Sequence, residues 1–343
     1  MKKRVKEYDL IRVMSFLFIV IHHSVTEVVS KYGFSNWMSN FFLGGVGVSF
    51  FIILSGCSLS LNERNENFIK FFLSRISSIL PFYWIAYLLV LFYQYVFNGD
   101  ALVGTDISKV LITVFGLDGY LGSKIKTYYL VGEWFTGFIL ILYVFSQPAI
   151  YLAKKNPLAL IVLATISSWL SILLSEDIFN NFFLWNKEPL WNPTSRLMEF
   201  SFGIITSLYL LKSNFKMNIA ATVSVFYLFL LFLLKVNLLQ FTLLGTTFCI
   251  AAFMIVLKAL MLIRFNPHFS CVINFLSKYS FLAFLFHHQV IMQILIKVKL
   301  FKITYSDIIY IVTATIFISY FLAFVAYRPS IFLKNIVFKH LLK

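Results

Sequence analysis

The sequence predicts an all-α fold, a polytopic transmembrane helical bundle of about ten spanning helices. Three observations predict it. Hydrophobic residues fill 60% of the 343 positions and charged residues only 13%, about half the ~25% of a soluble domain, so a water-soluble fold of this length could not hide its apolar surface. Apolar runs near the ~20 residues that a spanning helix needs recur along the chain. The basic residues behind a net charge of +15 form no arm or domain; they punctuate the gaps between the runs, which sets nucleic-acid binding aside.

The first run, 9–29, carries Arg12 and no small-residue cleavage site after it, so it is read as a retained helix and not a signal peptide. The second, 38–61, opens on Gly44-Gly-Val-Gly-Val-Ser49, small residues that let helices approach closely. The third, 79–97, follows Arg75. The fourth and fifth, 132–153 and 157–174, are parted by Lys154 and Lys155, and the sixth and seventh, 195–211 and 218–234, by Lys212 and Lys216. The eighth, ninth and tenth are 238–257, 279–296 and 307–326, with Lys258, Arg264 and Lys278 in one gap and Lys297, Lys299 and Lys302 in the next. The stretch 98–131 holds only a short run, Val110–Leu117, expected to be re-entrant or interfacial. The aromatic residues of 98–131 and 175–194 would roof a cavity or form an interfacial belt. The whole chain, 1–343, is read as a single membrane domain with no soluble domain at either end.

With ten spans and the N-terminus inside, inner segments carry 18 Lys and Arg and outer segments 10, Arg12 completing the 29. The bias places both termini in the cytoplasm, with Lys297, Lys299 and Lys302 against it. Cys57, Cys249 and Cys271 are an odd number, two of them inside apolar runs, which argues against a disulfide framework.

The first run holds the most informative spacing. Arg12 and His23 are eleven residues apart, three helical turns plus roughly 20°, so both lie on one face about 16 Å apart along the axis. Asp9, three residues before Arg12, can pair with it; Ser15 and Glu27 extend the track by about a turn at each step. Ionisable groups inside a membrane helix are costly and mark routes or sites. A desolvated neutral imidazole is a good general base. The alternatives are Arg12 snorkelling to headgroups, His23 in a packing hydrogen bond, and the Ser15 hydroxyl bonded to its own helix backbone. His22 points roughly 80° away from Arg12, which favours His23. Packing is the expected role of the second-run glycines, which lack the Lys and the strand-to-helix context of a phosphate loop. Arg75, at a helix start, suits a phosphate.

These segments resemble the acyltransferase-3 family of membrane O-acyltransferases. Tyr8-Asp9-Leu-Ile-Arg12, ten residues before His23, is similar to the family's Arg-x10-His signature. Gly47-Val-Ser-Phe-Phe-Ile-Ile-Leu-Ser-Gly56 resembles its glycine, double-phenylalanine, Ser-Gly segment, and Arg75 to Trp84 its Arg, Pro-Tyr-Trp helix start. Trp134 through Tyr143 and Pro148, Arg196 to Gly203, and Tyr279 to His288 resemble later family helices, in order across nearly the whole chain. Ser78 stands where the family commonly has a second Arg. Ile139 and Leu140 occupy a stretch where many members have Glu, the nearest acid being Glu133, and Phe284 replaces a Tyr.

The resemblance implies an acyltransferase in the plasma or inner membrane. Its donor would be acyl-CoA, acetyl-CoA first, on the cytoplasmic side. Its acceptor would be a sugar hydroxyl of a lipid-linked or surface glycan. Arg12 and Arg75 would hold the donor's phosphates, His23 would take the hydroxyl proton, and Asp9 would orient Arg12. Glu27, Glu133, Trp134, Glu199 and His287 are candidates for substrate binding, with Glu199 as readily a structural partner of Arg196. No metal is expected, because no carboxylate or spacing supports one. Membrane lipids are partners, and self-association stays open. A lipid-linked-sugar flippase or transporter, or a polysaccharide polymerase, would also be a many-helix membrane protein, but neither would need acyl-CoA.

Overall fold

The computed structural model describes residues 5–33, 43–61, 67–99, 106–131, 134–186, 188–236, 242–298, 304–339 and 341. The predicted starts of the second, fourth and eighth spans, Glu133 among them, lie outside these residues. The helices are α1 (Lys6–Tyr32), α2 (Leu43–Leu61), α3 (Phe68–Ile76), α4 (Leu80–Asn98), α5 (Val110–Val114), α6 (Asp118–Leu121), α7 (Trp134–Val144), α8 (Ser146–Lys155), α9 (Pro157–Leu173), α10 (Ser175–Asn181), α11 (Leu197–Ile205), α12 (Asn214–Leu233), α13 (Thr242–Met261), α14 (Pro267–Lys297) and α15 (Tyr305–Phe338). No strand occurs among the described residues.

The all-α membrane bundle is as expected; the count of about ten spans is corrected. Seven helices are long and apolar enough to cross a membrane, and α7 with α8, bent by 47°, makes an eighth. Each predicted run contains helix among the described residues, but α9 has 17 residues, and α11 has nine plus a five-residue π-helical turn to Leu210. Those 14 residues rise only ~21 Å, short of a ~30 Å hydrocarbon core. Beside these shortened helices the segments 106–131 and 188–196 meet, where the Tyr120 hydroxyl donates to Asn192 Oδ1 at 3.3 Å.

Start signals recur where the chain re-enters the bundle. Asn156 and Asn266 cap α9 and α14, each followed by Pro at the first helical position, and Thr304 with Asp307 forms a capping box on α15. The α14 helix begins a dozen residues earlier than its apolar run, through Lys278. That cation sits 4.2 Å from the centre of the Tyr327 ring and 5.0 Å from that of Tyr279, which lets it stay in the helix. The α15 helix continues past 326 through Pro329, where the Ser330 hydroxyl bonds the Ala326 carbonyl at 2.7 Å.

The stretch 106–131 takes a re-entrant course. The Trp84 indole donates to the Val114 carbonyl at 2.7 Å, and Gly116 packs on Leu80, so the chain returns to the first turns of α4. Gly116 has φ +68°, and a Cβ there would press on Leu80 and Thr136. Tyr83 then bonds Asp118, and the Tyr87 hydroxyl donates to the Tyr128 carbonyl at 2.8 Å as the chain comes back.

The core runs along α1, which packs on α2, α14 and α15 through Phe16, Ile19, Val20, Ile52, Leu282 and Phe286. The outer helix α12 turns Val223, Phe226, Phe229 and Phe232 outward, as a lipid-facing helix does. The expected packing role of small residues is met where α2 crosses α11. A Cβ on Gly56 would lie 2.2 Å from the Phe200 carbonyl oxygen, and one on Gly203 would lie 2.1 Å from that of Ile53. Backbone cannot yield as a side-chain tip can, so Gly203→Val should cost at least ~1–3 kcal/mol. A thermal melt of the detergent-solubilised protein should show a clear fall in Tm; an unchanged Tm would mean that the two backbones are not so close.

Candidate active site

The polar track on α1 opens into two cavities. The first, about 240 Å³, is lined by Arg12, Arg75, Tyr143 and four serines, Ser55, Ser58, Ser78 and Ser280. No carboxylate lines it among the described residues. Two guanidinium groups among hydroxyls, with Asp9 behind Arg12 and outside the lining, make an anion site. Arg12 Nη1 donates to Asp9 Oδ1 at 3.2 Å and to Ser277 Oγ at 2.9 Å, and Ser277 Oγ donates to Asp9 Oδ1 at 2.7 Å. The closed triangle aims the guanidinium from buried Asp9 toward the cavity. Arg75 lies over the Phe71 ring and donates to Ser74 Oγ at 3.1 Å; its buried Nε has no hydrogen-bond partner. Ser78 and Ile139, two of the departures from the family pattern, both line this cavity.

The second cavity, about 320 Å³, is lined by His22, His23, Gly44, Trp134, Glu188, Trp191 and Arg196 among others. His22 was expected to face elsewhere; its ring packs on Gly44, and both imidazoles reach this space. The α14 helix brings two more imidazoles against His23, outside the cavity lining. The His288 ring centre lies 4.2 Å from that of His23, and the His287 ring centre 5.3 Å from it. At most one of these two adjacent histidines was expected to line the same cavity as His23, and neither does, His287 included. His287 is fully buried, with Nδ1 2.5 Å from the Phe284 carbonyl. In the tautomer where Nδ1 donates, Nε2 is the basic face. The His23, His287 and His288 nitrogens lie within 4.8 Å of one another. The sequence set a metal aside for want of a spacing, and the fold supplies a cluster that could hold one or share a proton.

Within the stretch 175–194, for which a cavity roof and an interfacial belt were left open, Glu188–Trp191 line this cavity, followed by Arg196. Asn186 and Asn192 are both buried; the Asn192 side chain accepts from the Asn186 backbone N–H at 2.7 Å and donates to the Asn186 carbonyl at 3.1 Å, and the Asn186 side-chain amide donates to the Tyr120 carbonyl at 2.7 Å. Trp134 and Trp191 stack at 5.0 Å and 6° into one aromatic wall. Arg196 fixes roof to bundle: Nε donates to the Leu190 carbonyl at 2.9 Å, and Nη1 to Ser49 Oγ at 3.1 Å and to both Glu199 oxygens at 3.0 Å. Glu199 is fully buried in that pair and lines neither cavity. Glu27 is half-buried one turn beyond His23 and also lines neither. Ser15 is buried, its hydroxyl donating to the Ile11 carbonyl at 2.7 Å, as its alternative reading had it.

Ser277 escaped the reading from sequence, and of the His287–His288 pair it singled out His287, although a signal for Ser277 and His288 exists. They are eleven residues apart, the same interval as Arg12 and His23. Because α1 and α14 run parallel, Ser277 meets Arg12 and His288 meets His23 in one register.

A bundle of apolar helices enclosing a cationic cavity and an imidazole cavity on one helix has the form of an integral-membrane group-transfer enzyme. The model of a family described as an acyltransferase domain matches residues 5–328, nearly the whole chain. The chain belongs to the acyltransferase-3 family and is a membrane acyltransferase. No curated protein and no solved structure matches it.

Proposed function

We propose that the protein is an O-acyltransferase that moves an acyl group, acetyl first, from cytoplasmic acyl-CoA to a hydroxyl of a cell-surface or lipid-linked glycan. The observation that carries this reading is the division of the α1 track between two cavities, a carboxylate-free site with two arginines and a roofed site with His23. The donor's phosphates would lie against Arg12 and Arg75. The acceptor hydroxyl would lie against His23, with the Trp134–Trp191 wall as a sugar platform. His23 takes the hydroxyl proton as the oxygen attacks the thioester carbonyl. The C–S bond breaks, CoA leaves as thiolate and takes up the proton, and the ester stays on the glycan. Asp9 and Ser277 position Arg12, and Glu199 acts through Arg196 on the roof.

Topology supports the same direction. Lys334 reaches Ser78 and Phe338 stacks near Trp84, so the end of α15 lies beside the Arg12–Arg75 cavity, as does the start of α1. By the positive-inside rule, Lys6, Lys334 and Lys339 at these two helix ends put both termini and that cavity on the cytoplasmic face of the plasma or inner membrane.

The test uses the full chain in lipid nanodiscs with labelled acetyl-CoA and a glycan fraction from cells lacking the gene. Label should enter the glycan as ester and CoA should be released with it. No transfer and no CoA release above a protein-free control would refute the reading. Sugar-lipid translocation or glycan elongation without acyl-CoA would put a flippase or a polymerase in its place.

A further inference from the structure

The two cavities share one lining residue, Phe135 of α7. Its ring is a corner of an aromatic triangle drawn from three helices. Phe51 of α2 lines the Arg12 cavity, and its ring centre is 6.1 Å from that of Phe135. Phe284 of α14 lines the His23 cavity, 5.7 Å from Phe135 and 6.2 Å from Phe51. All three separations lie within the range of direct ring contact. Phe284 also stacks on His287 at 5.2 Å, and its carbonyl meets His287 Nδ1, so the triangle is joined to the imidazole cluster.

We propose that Phe51, Phe135 and Phe284 form an aromatic shutter between donor and acceptor sites that admits only short acyl chains. The inference rests on the acyltransferase reading above and goes further, to the donor's chain length. An apolar partition excludes water and the charged phosphates, because neither finds a hydrogen-bond partner among three phenyl rings. A neutral thioester on a narrow arm can pass once the rings turn. Each added methylene must displace more ring surface, and a packed hydrophobic wall discriminates by ~10–200-fold per methylene. Departures from the family pattern at Phe284 and Ile139 thus fall beside the passage, where apolar bulk decides what crosses.

The test compares acetyl-, butyryl- and octanoyl-CoA as donors for the wild type and for Phe135→Ala, Phe135→Leu and Phe135→Trp in nanodiscs. Phe135→Ala should raise the octanoyl-to-acetyl ratio of kcat/KM at least ~10-fold, and Phe135→Leu should fall between it and the wild type. Phe135→Trp should bind CoA like the wild type by calorimetry yet lose transfer from every donor. A second measurement reads the partition without chemistry. In a background with Cys57, Cys249 and Cys271 replaced by Ala, a small thiol reagent applied from the Arg12 face should label Ser55→Cys but not Val48→Cys. Adding Phe135→Ala should open Val48→Cys to it. An unchanged donor profile in Phe135→Ala, or labelling of Val48→Cys with Phe135 intact, overturns the shutter. If the wild type transfers no acyl group from any donor, the acyltransferase reading fails, and the labelling alone decides the shutter.

Discussion

His23→Ala should fold, bind acyl-CoA and leave the glycan unacylated. Loss of a general base lowers the rate by ~10²–10⁴-fold. His23 is the member of the imidazole cluster on the Arg12 stripe, and its ring both lines the roofed cavity and lies closest to His288. His22→Ala should keep more activity, because that ring packs on Gly44 and sits off the stripe. Glycan O-acylation in cells expressing each variant at matched membrane levels makes the comparison. Normal acylation with His23→Ala, or a null phenotype confined to His22→Ala, would assign the proton transfer to another group.

Arg12→Lys should weaken acyl-CoA binding by roughly 10–100-fold, the equivalent of a charge-assisted hydrogen bond worth ~1.5–3 kcal/mol. Lysine keeps the charge but loses the planar fork, and it cannot both hold Asp9 and Ser277 and present a second nitrogen to a phosphate in the same geometry. Arg75→Ala should lower affinity by a similar factor, because Arg75 is the other cation of a cavity lined by no carboxylate. Ser277→Ala removes the hydroxyl that bonds both Arg12 and Asp9 but leaves their direct ion pair, so its effect should be smaller. Calorimetric titration of acetyl-CoA into each variant measures this. Unchanged affinity in both Arg12→Ala and Arg75→Ala would remove the donor from this cavity.

The helices were readable because an apolar run is a local property. Their lengths were less readable, for reasons seen at particular residues. Lys278 would end α14 if Tyr279 and Tyr327 did not receive its charge, and Pro329 would end α15 if Ser330 did not bond the turn before it. The short helix from Leu197 to Leu210, packed inside protein, reads in sequence like a span, since burial among helices and burial in lipid select the same apolar side chains.

By itself the sequence determined that the chain lives in a membrane as helices, and that Arg12 and His23 share a helix face, since both follow from composition and a 100° step. Tertiary structure alone decided that the two residues open into separate cavities. It also decided that His288 and Ser277 join them from α14, and that Phe51, Phe135 and Phe284 meet between the cavities. The physical reason is that a helix fixes the direction of its own side chains, whereas its neighbours are chosen by packing between segments hundreds of residues apart. The backbone contact of Gly56 with α11 and the parallel register of α1 with α14 are decided there.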